Sequence, residues 1–310
     1  SSRDQRVSVV ESPPPLSAFS AREAMGNLCG AAKDGVKVFG MPVSQNVMGP
    51  VLLAMESGKG AMEMCNIMEG AQMTPEFLAM NPYHHIPTMK DGDLAIGESN
   101  AILRYIAIKY KPEYYPVSDP AMCATIDFAM DSMSNEVYKA HHDTVYVVLG
   151  FASPPTDQQA ANKTYTEKLD TWATHFLKGK FVGGDKLTIA DFKAVPLLIA
   201  AMQPAVKAKI GLTVSDRVKQ YVDDFCAVVP SSKMLQSAGG YSIAEFLAGK
   251  APEAKAATTR YTKVQYSDAP RLRLAGEVKV FGMPVSQNVM GPVLLAMESG
   301  KGAMEMCNIM

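Results

Sequence analysis

Residues 81–110 read NPYHHIPTMKDGDLAIGESNAILRYIAIKY, and this stretch decides the fold of the first half of the chain. Residues 87–90 and 93–96 flank Asp91-Gly92, which predicts a β-hairpin with a tight D-G turn. Ser99 then predicts the N-terminal cap of a helix. Three apolar residues at helical spacing would face the sheet, namely Ile102, Tyr105 and Ile106.

Upstream of the hairpin, the sequence predicts a strand-helix-strand unit. Residues 37–39 form a short apolar strand, and a loop over 41–44 leads into a helix that starts near Asn46. Pro50 requires this start to be close, because a proline deeper in a helix removes a hydrogen bond. Residues 61–67 form the second strand.

A short helix connects this unit to the hairpin. Thr74 would be its cap and Pro75 its first residue, and it would end at Asn81-Pro82. The order βαβ-α-ββ-α over residues 36–110 is that of a thioredoxin-like domain, so we expect an α/β N-terminal domain.

Residues 111–250 predict a second, all-α domain, which follows a proline-rich linker at Lys111–Pro120. Helices are expected over 121–149, 157–177, 188–202, 215–229 and 242–247. The pattern Thr188-Ile189-Ala190-Asp191 is a capping box. Asp191 is therefore interpreted as a folding residue and not as a catalytic acid. A cleft should separate the two domains.

The C-terminal end of the chain repeats part of the first domain. Residues 278–310 are identical, letter for letter, to residues 36–68. A spacing this long is not that of a solenoid, whose units run about 20–50 residues. We interpret 278–310 as a partial second copy, 251–277 as a linker, and 1–35 as an N-terminal extension without regular structure.

Composition argues against several classes of protein. The net charge is −1 and the basic residues are scattered, so no nucleic-acid partner is expected. The five cysteines contain no CxxC pair, which indicates reduced thiols in the cytoplasm and no metal site. No apolar run reaches the ~20 residues of a membrane span. An alternative is a lipid anchor at Gly26 and Cys29, if Met25 is the initiator.

Three segments together resemble the glutathione transferase family, namely KVFGMPVSQNV, residues 81–110 and GDKLTIADF. The resemblance covers about residues 36–250 and is nearest to the phi and delta/theta-type branches, which use a serine. It implies that the chain is an enzyme that joins glutathione, as co-substrate, to small electrophiles without a metal. It also implies a two-fold homodimer.

By this resemblance, Ser44 is the catalytic residue that activates the glutathione thiol. The thiolate is the nucleophile, and a free thiol titrates near ~8.5, so a nearby donor and a helix N-terminus are needed to lower its pKa. The alternative is that Ser44 is an ordinary helix cap.

The resemblance also predicts the glutathione-binding residues. Ile86-Pro87 matches a cis-proline step, where the backbone of Ile86 would pair with the cysteinyl part of glutathione. Glu98 would take the ammonium of the γ-glutamyl group, and Ser99 its carboxylate. The alternatives are a trans proline at an edge strand and a plain helix cap.

Two histidines could contact the glycine carboxylate of glutathione. His84 matches the delta-type pattern and His85 the phi-type pattern, and the sequence leaves both open. No third ligand for a metal ion stands at a suitable spacing.

The pocket for the electrophile would be lined by Met41, Met130 and Met133, since methionine suits a permissive apolar pocket. Single methionines also fill cores, which is the alternative. Five positions depart from the family pattern, namely Gln72, Met73, Asn100, Met48 and Gly49. Gln72, Met73 and Asn100, together with the repeated segment, keep a second function open, in which the fold is a non-catalytic docking module or ligand carrier.

Overall fold

The computed structural model describes residues 35–236 and two short strands, at 278–282 and 302–306. Several predictions lie outside these residues, namely the extension before residue 35 with Gly26 and Cys29, the helix at 242–247 and the linker at 251–277. The chain divides into two units, residues 1–255 and 256–310, which are described separately.

The first unit contains a four-stranded mixed sheet. Its strands are β1 (Val36–Gly40), β2 (Gly60–Met64), β3 (Thr88–Asp91) and β4 (Leu94–Gly97). Their spatial order is β2-β1-β3-β4, with β1 parallel to β2 and antiparallel to β3. The parallel pair requires a crossover helix, and the antiparallel pair β3–β4 needs only a tight turn.

Three helices accompany this sheet, α1 (Gln45–Glu56), α2 (Pro75–Met80) and α3 (Ser99–Tyr110). The predicted order βαβ-α-ββ-α, and with it the thioredoxin-like fold, is confirmed. The second strand ends at Met64, three residues earlier than predicted, and begins one residue earlier, at Gly60. Short 3₁₀ turns follow it, the first of which is capped by the side chain of Asn66.

Residues predicted from local sequence to cap a helix and to form a hairpin turn are found at or next to those positions. Thr74 caps α2, since its hydroxyl accepts a hydrogen bond from the Phe77 N–H at 3.3 Å. In the hairpin, Asp91 pairs with Leu94, so the central turn residues are Gly92-Asp93 and not Asp91-Gly92. Gly92 has a φ of +60°, which is the reason that a glycine stands at the first central position.

The predicted start of α1 near Asn46 is correct to within one residue, but Pro50 does not lie in the first turn. The helix begins at Gln45, which makes Pro50 its sixth residue. The missing hydrogen bond is tolerated because α1 is buried along most of its length. Tertiary packing of such a helix outweighs local propensity.

The second half of the first unit is all-helical, as predicted. Its helices are α4 (Pro120–Ser132), α5 (Tyr138–His142), α6 (Val145–Leu149), α7 (Gln158–Phe176), α8 (Ile189–Ala201), α9 (Pro204–Ile210), α10 (Asp216–Val228) and α11 (Lys233–Gln236). The single helix expected over 121–149 is instead broken by a π-helix at Met133–Val137 and by a turn before α6. Helices α9 and α11 were not predicted.

Helix α8 lies at the centre of the first unit, and every one of its residues is buried. It packs against α1, α3, α4 and α10, so it joins the sheet-bearing half to the helical half. A helix that is apolar on all sides is expected in such a position. Within the described part of the chain, no single helix is long and apolar enough to span a membrane; only the bent pair α8–α9 passes by length and composition.

The second unit shows two strands, β5 (Val278–Gly282) and β6 (Gly302–Met306), which pair in parallel. Val278 lies opposite Gly302, as Val36 lies opposite Gly60 in β1 and β2. Identical sequence thus adopts the same strand register in both places.

Candidate functional site

A cavity of about 500 Å³ opens where the N-terminal ends of α1 and α3 face the end of α4 and the π-helix. It is lined by Asn46, His85, Ile86, Pro87, Glu98, Ser99, Asn100, Asp131, Ser134, Asn135, Tyr138 and Lys193. Residues from both halves of the first unit therefore form its walls.

The cavity collects most of the residues predicted to bind glutathione. His85, Ile86 and Pro87 line one side, and Glu98 and Ser99 line another. Of the two candidate histidines, His85 lines the cavity and His84 does not. The two imidazole rings meet edge to face, with centroids 5.5 Å apart.

Ser44 does not line this cavity, although Asn46, two residues further on, does. Ser44 occupies the N-cap position of α1 in an extended conformation, and its backbone carbonyl accepts hydrogen bonds from the N–H groups of Val47 and Met48. Its hydroxyl makes no capping hydrogen bond. The hydroxyl of a simple capping serine would accept one from the first turn.

The loop before β3 is organised by Asn81. Its side chain donates hydrogen bonds to the carbonyl of His85 and to the hydroxyl of Thr88, and it accepts one from the N–H of Tyr83. The Ile86–Pro87 peptide bond in this loop is cis, as predicted.

The predicted cap of α3 is wrong in detail. The helix begins at Ser99 itself, and Glu98 is the N-cap residue, with a φ of +65° and no capping bond from its side chain. The hydroxyl of Ser99 points elsewhere and accepts a hydrogen bond from Nζ of Lys193 at 2.8 Å. Ser99 is thus hydrogen-bonded to α8. This contact joins residues 94 positions apart, so local sequence could not predict it.

Two of the three residues assigned to the electrophile pocket are misplaced. Met130 and Met133 have no exposed surface and belong to the hydrophobic core. A side chain buried to this extent cannot line a cleft, so the core alternative applies to both. Met41 is half-buried in the loop after β1, and its assignment stays a prediction.

Asn100, one of the departures from the family pattern, bonds across the cleft. Its Nδ2 donates to Oδ1 of Asp131 at 2.8 Å. Arg104, one turn along α3, is held by Asp127, with Nε 2.7 Å from Oδ1. The arginine closest in sequence to the cavity residues of α3 is therefore already paired.

The lysine at the base of the cavity was missed by the sequence analysis. Lys193 lies on α8 and only 4% of its surface is exposed. Its Nζ donates to Oδ1 of Asn46 and to Oγ of Ser99, both at 2.8 Å. Burial lowers the pKa of Lys193 to about 8, although Glu98 and Asp131 act in the opposite direction. A lysine in a buried helix that is apolar except for the capping Asp191 was the available signal.

Tyr138 lines the cavity from the helical half, as Asn46 does from α1. The Tyr138 hydroxyl lies 2.8 Å from that of Tyr146. Burial raises the pKa of Tyr138, so its hydroxyl remains protonated at neutral pH. Tyr138 directly follows the π-helix, an irregularity that often occurs at functional sites.

Among the described residues, no group of three or more histidine, cysteine, aspartate or glutamate side chains is arranged to hold a metal ion. His141 is fully buried, and burial lowers its pKa to about 3. Its Nδ1 lies 3.4 Å from the hydroxyl of Tyr165. Its surroundings are aromatic, and it belongs to the packing of α5 against α7.

Comparison with known proteins identifies similar sequences and a similar fold. Residues 35–108 match the family model described as glutathione S-transferase, N-terminal domain. Glutathione S-transferase 3 of Zea mays is 30% identical over 180 residues, which cover 54% of this chain and 80% of the maize protein. Glutathione S-transferase D7 of Drosophila melanogaster is 38% identical over 134 residues, 42% of this chain and 58% of the fly protein.

A solved structure gives the same result for the fold. The delta-class glutathione transferase of Nilaparvata lugens superposes with a TM-score of 0.57 at 23% identity. The match covers 69% of this chain and 99% of the insect protein. At that identity, the likeness concerns the arrangement of the helices and strands.

Proposed function

Since the chain belongs to the glutathione S-transferase family and is an enzyme of that family, we propose that it joins the thiolate of glutathione to small electrophiles, with Ser44 activating the thiol. The observation that carries this proposal is the Ser44 hydroxyl, which stands at the start of α1 and makes no capping bond. A hydroxyl in that position is free to donate to a sulfur atom.

The chemistry follows from this position. The partial positive charge at the N-terminus of α1 and the Ser44 O–H both favour a thiolate over a thiol, so the thiol proton is released to solvent. The sulfur lone pair then forms a C–S bond with the electrophile. The electron pair of the broken bond leaves with the departing group, or moves to the adjacent atom when the electrophile is an activated alkene.

The remaining parts of glutathione are assigned to the cavity. The backbone of Ile86, beside Pro87, would pair with the cysteinyl residue, and His85 or His84 would contact the glycine carboxylate. Glu98 and Ser99 would hold the γ-glutamyl end. A cavity of about 500 Å³ with these polar groups on its walls is in the range of small-molecule sites.

The test compares two serines that stand in identical sequence. Ser286 repeats the context of Ser44, and the repeated segment 278–310 corresponds to residues 36–68, which do not include Ile86-Pro87 or Glu98-Ser99. Ser44→Ala should lower kcat/KM for a generic aromatic electrophile by about 10–100-fold at pH 7, the value of a hydrogen bond to a charged group. Binding of S-methylglutathione should stay within about two-fold, since that ligand has no thiolate to stabilise.

The matched control is Ser286→Ala in the same chain, for which kcat/KM should not change. An equal loss in both variants, or none in Ser44→Ala, would remove Ser44 from the mechanism. Absence of turnover in the unmutated protein with several electrophiles would instead favour the docking module or ligand carrier. The departures at Gln72, Met73 and Asn100 are the observations that keep this second function in view.

Assembly and compartment are part of the same proposal. We expect a homodimer, as is typical of glutathione S-transferases. We also expect a cytoplasmic location, which is supported by the free thiols of Cys65, Cys123 and Cys226. Residues 278–310 are proposed to be a partial repeat of residues 36–68. Light scattering would measure the assembly directly.

A further inference from the structure

Lys193 is an unusual residue for the place it occupies. It is the fifth residue of α8, a helix whose other members are nearly all apolar, and its side chain lies at the base of the cavity. With 4% of its surface exposed, it has lost most of its contact with bulk water. A charged group in such a position is expected to be paired with an opposite charge.

No such pair is present among the residues that the structure describes. No carboxylate oxygen of the described residues is paired with the Lys193 ammonium within 4.0 Å, and its two hydrogen-bond acceptors, Asn46 Oδ1 and Ser99 Oγ, are neutral. An ammonium carries three donors. One N–H of Lys193 is therefore left without an acceptor from the described part of the chain, on a side chain that lines the cavity.

The nearby carboxylates are occupied or exposed. Asp131 accepts from Asn100 at 2.8 Å and lies 3.9 Å from Arg104, so its charge is shared with α3. Glu98 is exposed at the N-cap of α3. Both raise the pKa of Lys193 from a distance, but burial outweighs them and lowers it to about 8. The site thus holds a cation that lacks a close anion.

The surroundings of the Lys193 ammonium favour a carboxylate as that anion. The first N–H groups of α3, from Ser99 onward, have no acceptor within the helix, and they carry its partial positive charge. Because the Ser99 oxygen accepts from Lys193, the Ser99 O–H remains available to donate. Beside these donors, Glu98 and Asp131 supply negative charge for an ammonium. This combination is complementary to an α-amino acid group.

We propose that Lys193 binds the α-carboxylate of the γ-glutamyl group of glutathione, together with Ser99 and the N-terminus of α3. This proposal rests on the proposed function, because glutathione is the ligand that brings such a group into the cavity. Lys193 reaches the site from the helical half of the unit, so the carboxylate is held from both sides of the cleft.

The experiment compares three ligands, each S-methylated to exclude thiol chemistry. They are glutathione, the analogue with γ-aminobutyrate in place of glutamate, which lacks the α-carboxylate, and the analogue with glutarate, which lacks the α-amino group. In the unmutated protein, calorimetry should find binding about 10–100-fold weaker without the carboxylate, the value of a charge-assisted hydrogen bond.

Lys193→Met should weaken the binding of S-methylglutathione by a similar factor and reduce the discrimination between ligands with and without the carboxylate to the part that Ser99 and the N-terminus of α3 supply. It should leave the discrimination against the analogue without the amino group, which depends on the acidic side chains. A lysine needed only for packing would not change one discrimination and spare the other. The matched control is Lys219→Met, whose lysine is exposed on α10 and pairs with Asp216.

Three outcomes would overturn the proposal. The unmutated protein could bind the analogue without the carboxylate as well as S-methylglutathione, a result that does not depend on any variant folding. Lys193→Met could fold and keep the full preference for the carboxylate. If glutathione neither binds nor turns over, the proposed function fails first. Turnover with an unchanged preference in Lys193→Met would refute the role of Lys193 alone.

Discussion

Among single residues, Lys193 makes the affinity of the site depend on pH. Burial lowers the pKa of Lys193 to about 8, and the carboxylates of Glu98, ahead of α3, and Asp131, on α4, oppose that shift. The residue of α1 in contact with the Lys193 ammonium is Asn46, which is neutral. Only the protonated lysine attracts a carboxylate. The contribution of Lys193 to binding is therefore complete well below pH 8 and is lost as the pH rises through that value.

This dependence is measured as a ratio. The affinity for S-methylglutathione should fall more between pH 7 and pH 9 in the unmutated protein than in Lys193→Met. The amino group of the ligand titrates in both proteins and cancels in the ratio. Equal pH profiles for the two proteins would contradict a charged lysine in contact with the ligand.

Among the elements, α8 depends most on its first turn. The Asp191 carboxylate accepts hydrogen bonds from the N–H of Val182 and of Thr188 and from the hydroxyls of Thr188 and Tyr221. The carboxylate is fully buried, and burial raises its pKa to about 6 despite these four donors. The capping box predicted at Thr188 and Asp191 is confirmed, and its role is to hold α8.

We expect Asp191→Ala to lower the free energy of unfolding by about 3 kcal/mol or more, because it leaves several buried donors without an acceptor. The control is Asp157→Ala, which removes an exposed cap whose carboxylate accepts from the Ala160 N–H at 2.9 Å. That loss should be about 1 kcal/mol. Urea unfolding measures both, and equal losses would contradict the special position of Asp191.

At the scale of the whole first unit, the contact between α1 and α8 joins the two halves. A Cβ atom added to Gly49 would lie 2.4 Å from the carbonyl oxygen of Phe192. Gly49 is one of the departures from the family pattern, and the contact gives a reason for a glycine there. The two helices can approach this closely only because that residue has no side chain.

Gly49→Ala should therefore lower the free energy of unfolding by about 3 kcal/mol, as overpacking forces α1 and α8 apart. It should also weaken glutathione binding, since Asn46 and Lys193 stand on these two helices. The control is Gly58→Ala. The added Cβ atom would have no neighbouring atom within 4 Å, so the only cost is the backbone strain of a φ of +66°. About 1 kcal/mol is expected for it. A Gly49→Ala variant as stable as Gly58→Ala would contradict the close approach.

The sequence by itself determined the order of the elements, since each depends on signals a few residues apart. Thr74 and Thr188 placed helix starts, Gly92 placed a hairpin turn, and the Ile86-Pro87 step marked the loop beside the cavity. Residues 278–282 and 302–306 even reproduce the strand register of the first copy, because the same letters carry the same local preferences.

Tertiary structure alone decided the contents of the site. Methionine is a residue type that often lines apolar pockets, but the packing of the helices around α8 buries Met130 and Met133 completely. Lys193 meets Asn46 and Ser99 across 147 and 94 positions of sequence, distances at which no periodicity or capping signal operates. Local preferences act through neighbours along the chain, whereas a buried charge acquires its partners only when separate elements pack together.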